Sequence, residues 1–118
     1  MLGGSYVLDH DFRVRLRMAR SSDIAPIRDL LERRRGAGEV DLVPLVQFDP
    51  RRRCVICATA LIDSAETLVG VGSIALDDQR DPEPDVLLVA ERHAGAIAEL
   101  LARALVSWAA DASEAWAA

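Results

Sequence analysis

The residues of this sequence best suited to chemistry gather around one short apolar run. Glu83 and Glu91 bracket Val86-Leu87-Leu88-Val89, Asp85 lies beside it, and Arg92 and His93 follow directly. A carboxylate at the end of a buried strand is a candidate general base, and an imidazole can serve as acid, base or phosphate contact near neutral pH. Next come Ala94, Gly95, Ala96, Ile97 and Ala98, all small except Ile97. If a helix opens here, its first-turn amides lack intrahelical acceptors, and together with the helix dipole they favour a phosphate-like anion. Arg92 would add a charge-assisted contact, and Gly95 would give clearance. The plainer reading makes each of these carboxylates a solvated loop charge and His93 a surface residue.

Other chemistry-bearing residues point less far. Cys54 and Cys57 form a lone CxxC inside an apolar run. In a strand, residues three apart face opposite ways, so the pair reads as core rather than as a metal or redox site. Arg33-Arg34-Arg35 and Arg51-Arg52-Arg53 suit an acidic ligand, but they equally suit solvated element ends. Gly70-x-Gly72 lies within a strand pattern and has no nucleotide-binding context. There is no catalytic Ser, Cys or metal constellation.

The elements that must position these residues follow from periodicity. Val14, Leu16 and Met18 alternate with Arg13, Arg15 and Arg17, which predicts a strand with one cationic face; residues 1–12 read as an arm before it. Ser21, Ser22 or Asp23 caps a helix carrying Ile24, Ile27, Leu30 and Leu31 on one face, with Pro26 in its first turn. Val40 to Phe48 allows a turn or two of helix. Two apolar runs, 52–62 and 68–76, are joined by a polar connection and predict a hairpin whose first strand is covered on both faces. Asp77 to Asp85, with two prolines, reads as a loop. The run 86–89 is a strand, and Ile97, Leu100, Leu101, Ala104, Leu105 and Trp108 mark a long helix.

At 118 residues and 51% hydrophobic content, the chain suits one domain with a real core. A net charge of -5 argues against nucleic acid and anionic membrane as partners. The N-terminus has no signal-peptide pattern and no run is long enough to span a bilayer, so a cytoplasmic location is expected. All 14 basic residues are Arg, which makes each cation a bidentate donor suited to carboxylate or phosphate.

The order β-α-(α)-β-β-β-α is similar to the first two-thirds of the GNAT N-acetyltransferase fold. Arg15 to Ile24 resembles that family's opening strand and helix cap. Leu45 to Arg52 resembles the hairpin entry of the branch containing bacterial protein-lysine acetyltransferases, with Pro50 where an aromatic is usual. Leu68-Val69-Gly70-Val71-Gly72-Ser73 resembles the third strand. The closest likeness is Val86 to Leu101, which resembles the coenzyme-A motif: an apolar strand, then Gln/Arg-x-x-Gly-x-Gly/Ala opening a helix with a Leu-Leu pair.

The resemblance implies an α/β (α+β) fold, with a mixed sheet of about four strands flanked by helices over residues 13–118. The co-substrate it implies is acetyl-CoA, with no metal, and the acceptor is an amine on a small molecule or a protein lysine. Val89 and Ala90 would hold the pantetheine and polarise the thioester carbonyl, with the acetyl group meeting the amine at that strand end. Arg92, His93, Ala94, Gly95, Ala96, Ile97 and Ala98 would surround the pyrophosphate, and Glu83 or Glu91 would act as base. Two registers fit. One uses Arg92 and Gly95 and places Ile97 where Gly or Ala belongs, crowding the anion; the other uses His93, Ala96 and Ala98.

The chain stops inside the motif helix, before the family's later strands. The apolar run 86–89 is therefore expected at a sheet edge, covered by a second copy in a homodimer, with Trp108 and Trp116 as interface candidates. The other functional class that the residues allow is a non-catalytic domain of the same ancestry, used for ligand sensing or protein interaction.

Overall fold

The computed structural model describes residues 5–9, 12–33, 45–77 and 81–117, without the side chains of residue 9 and of 113–117. The protein is α+β: a five-stranded antiparallel sheet carries a helix on each face. The strands are β1 (Ser5–Asp9), β2 (Phe12–Met18), β3 (Arg53–Ile62), β4 (Ala65–Ala75) and β5 (Pro84–Val89), and their spatial order is their chain order. Helix α1 (Ile24–Arg33) follows a short 3-10 turn at Ser21–Asp23, and α2 (Ala94–Ala117) follows β5.

Three expectations are corrected. The sheet is antiparallel rather than mixed, because each strand pairs with its chain neighbour and no parallel crossover arises. It has five strands rather than about four, since residues 5–9 of the expected arm pair with β2. The loop before β5 is also shorter than expected: Pro84 opens the strand, a place where its missing N–H costs no ladder bond. The expected helical turns at 40–48 lie largely outside the described residues, although Leu45 is buried.

The alternation read from sequence sets the layers. Val14 and Leu16 are buried on one face of β2, whereas Arg13 and Arg15 are exposed on the other. β3 is buried on both faces from Cys54 to Ala60, as its unbroken apolar run requires. Cys54, Ile56 and Ala58 join Ile97, Leu101 and Leu105 of α2 in one core. Val55, Cys57 and Val71 join Ile27 and Leu30 of α1 in the other. The two thiols thus lie on opposite faces of the sheet, free and buried. Burial pushes the Cys54 pKa up to about 11 and that of Cys57 up to about 12.

Two local devices fix the frame. The Asp23 carboxylate takes two 2.7 Å bonds from the Arg17 guanidinium and one from the Arg20 backbone N–H, locking β2 to the start of α1. Those bonds, Arg17 first, hold the Asp23 pKa below the usual carboxylate range although burial opposes them. On the α2 side, Gly70 and Gly72 form a shallow trough for the helix. A Cβ at Gly70 would come within 2.9 Å of Ile97 Cγ2, and one at Gly72 within 2.9 Å of Leu105 Cδ1. Among the described residues no helix is long and apolar enough to cross a membrane.

Candidate functional site

β5 is an edge strand, and its last residues deliver the chain into α2 through the turn 90–93. His93 adopts the left-handed conformation, with φ 59°, which turns the backbone sharply into the helix. The turn is pinned from β2. The His93 ring lies 4.6 Å from the Phe12 ring, tilted by 34°, and the Arg92 guanidinium carbon sits 4.9 Å from the same ring centroid. Phe12 was hidden within the expected arm, although its two-residue spacing from Val14 marks it as part of the same buried face.

The turn sorts the expected anion-binding residues. Val89 pairs with Gly70 in the ladder, and the Ala90 N–H donates to the Val69 carbonyl at 2.8 Å. The Ala90 amide is thus committed to the sheet and not free for a ligand, contrary to expectation. The Ala94 N–H closes the turn on the Glu91 carbonyl at 3.3 Å, and the Ile97 N–H begins the helix ladder on His93. Gly95 and Ala96 are exposed first-turn residues, whose amides find no acceptor within the helix. Nothing lies within 4 Å of a Cβ built on Gly95.

Ile97 does not crowd this surface. It is fully buried and packs into the Gly70 trough, so the clash expected from its branched side chain does not occur. Ala94 and Ala98 are half-buried and pack against the same core, while Arg92 stays exposed. What the turn offers outward is therefore two small residues with available amides and one guanidinium.

The two candidate bases separate. Glu91 is exposed and lines a cleft of about 210 Å³ with Leu30, Arg33 and Ala90, between α1 and the strand end. Leu30 and Arg33 could not be assigned to this cleft from spacing, because only tertiary packing brings α1 to Ala90. Glu83 precedes the other end of β5, roughly 20 Å of strand from Ala90 at about 3.3 Å per residue. There it lines an open cleft of about 650 Å³ with Asp77, Asp81 and Asp85. Of the two carboxylates expected to act at the strand end, only Glu91 is near it. Asp85 is bound by Arg53, whose guanidinium also donates to the buried Ser73 hydroxyl. Among the described residues no His, Cys, Asp and Glu group is arranged to hold a metal ion.

Against known proteins, the chain matches no family model, no curated protein and no solved structure.

Proposed function

We propose that this protein is an acyl-CoA-dependent N-acetyltransferase of GNAT type. The observation that carries the reading is the start of α2, where exposed Gly95 and Ala96 open a 24-residue helix directly after an edge strand while Ile97 turns inward. A pyrophosphate fits such a place because small side chains admit it, free amides bond it and the helix dipole favours it. Arg92 supplies a charge-assisted bond from the rim. The edge of β5 that is unpaired among the described residues offers backbone groups to the amides of pantetheine. An edge occupied in this way is closed to a second copy of the chain.

In the reaction, a neutral amine attacks the thioester carbonyl carbon and forms a tetrahedral intermediate, which collapses by breaking the C–S bond. The amine proton passes to Glu91 in the cleft beside Ala90, directly or through water, and the departing thiolate takes up a proton. One finding favours the non-catalytic alternative, a ligand-sensing domain. The Ala90 N–H, placed where it would polarise the carbonyl, is spent on Val69.

Gly95→Glu separates folding from binding. Its side chain meets open space, so thermal stability should hold, while the new carboxylate displaces the anion. By calorimetry, the unaltered chain should bind acetyl-CoA, Arg92→Ala should bind about tenfold to a hundredfold more weakly, and Gly95→Glu should not bind. Equal affinities in all three, or no binding to the unaltered chain, would end the proposal. If binding survives in Glu91→Gln but acetylation of a mixed amine panel is absent even in the unaltered chain, the sensing alternative holds.

A further inference from the structure

The sheet face that carries α1 is only partly covered by it. The helix sits over β4 and β5, burying Ile27 and Leu30, but Arg13 and Arg15 of β2 are exposed on that side. Arg13 pairs across the sheet with Val7, which is 61% exposed; Leu61 of β3, which faces the same way, is 71% exposed. The next cation along, Arg17, is consumed by Asp23. Among the described residues Arg13 and Arg15 make no ion pair. In a chain of net charge -5, Arg13 and Arg15 form a pair of adjacent exposed cations with Val7 and Leu61 beside them and Glu66 beyond Leu61.

Two guanidiniums at positions i and i+2 of a strand stand roughly 7 Å apart. The shape that satisfies both is an extended segment with carboxylates at the same spacing. This chain contains one: Asp81-Pro82-Glu83-Pro84-Asp85, in which the three acids are exposed and the prolines half-buried. Asp85 is held by Arg53, whereas Asp81 and Glu83 make no ion pair among the described residues. Pro82 and Pro84 fix φ near -65° and keep the segment extended, so little chain entropy is lost when it docks.

We infer that the Asp81–Asp85 segment of one molecule docks across the Arg13/Arg15 face of a second copy, with Asp81 and Glu83 on the two guanidiniums and the proline rings turned away from that face. The two surfaces differ, so the contact is heterologous and molecules associate head to tail. It leaves the free edge of β5 open and does not depend on the coenzyme reading. Because exposed ion pairs are individually weak and screened by salt, the association belongs to high protein concentration and low ionic strength.

Sedimentation velocity over a range of protein and salt concentrations tests this. The unaltered chain should move from 12.8 kDa toward larger species with concentration, and return to monomer as salt is raised. Arg13→Glu/Arg15→Glu and Asp81→Arg/Glu83→Arg should each weaken association at least about tenfold, with circular dichroism unchanged. An equimolar mixture of the two should recover it, since each then offers the surface the other lacks. The neutral pair Arg13→Gln/Arg15→Gln should be intermediate and provides the test if charge reversal disturbs the fold. A chain that stays monomeric throughout, reversed variants that associate like the original, or a mixture that fails to recover would each overturn the inference. So would a monomer that instead binds polyglutamate or duplex DNA through Arg13 and Arg15, which would assign the face to a foreign polyanion.

Discussion

Asp23 shows how one buried carboxylate couples strand, turn and helix. Its folded pKa is lowered, chiefly by Arg17 and then by the Arg20 N–H, so its contribution to stability is present above the ordinary carboxylate pKa near 4. That contribution is lost as pH falls from there through the folded value. Urea midpoints measured from pH 7 down to pH 2 should show an acid limb that Asp23→Asn flattens. At pH 7, Asp23→Ala should cost about 2–3 kcal/mol, the low side for a buried pair because Arg17 keeps 27% of its side-chain exposure. The cysteines give the opposite sign. Their raised pKa values leave stability intact below about pH 9, and it falls as pH rises toward 11 and 12, where thiolates would have to form inside the core. At neutral pH both should resist a thiol reagent in the native protein and react once it is unfolded, as titration with and without urea would show.

Among the elements, the β3–β4 hairpin offers a clean test of turn chemistry. Ile62 pairs with Ala65, so Asp63 and Ser64 form a two-residue loop, with φ 50° and 66°. Both angles are left-handed, the pattern of a type I′ turn that prefers Asn-Gly. Ser64→Gly should therefore raise stability by up to about 1 kcal/mol, read as a higher denaturant midpoint with an unchanged slope. The hairpin itself was legible because its two strands are unbroken apolar runs, but Glu66 and Thr67 look like loop by composition and are strand by pairing. α2 was legible from its apolar period, and the opposed cysteines from strand alternation alone. The state of the Ala90 amide was not legible. It depends on Val69, the extra residue where the β3–β4 register slips between Ala58 and Thr59, and a bulge of this kind has no composition signal. The inward turn of Ile97 follows from the same period, which sets it on the apolar face with Leu101 and Leu105, but its fit to Gly70 was hidden because that contact exists only once helix and strand are packed.

Across the whole molecule, one sheet separates two cores, and charge is distributed unevenly over the outside. Acids collect by the open cleft at the start of β5, while the exposed guanidiniums of Arg13 and Arg15 stand on β2. The site at the α2 turn depends on residues from β2, β4 and α1, so damage to the packing should reach it. Ile97→Ala should cost about 2–5 kcal/mol and lower the melting temperature together with any acetyl-CoA affinity, in contrast to Gly95→Glu. The trough at Gly70 and Gly72 carries a consequence for inheritance. A methyl gained at position 70 presses on both Ile97 and Leu101, so it becomes tolerable only once both have yielded volume. Lineages descending from this chain should therefore change at 70 only in step with 97 and 101, and at 72 only in step with 87 and 105, so that each group is inherited as a single volume.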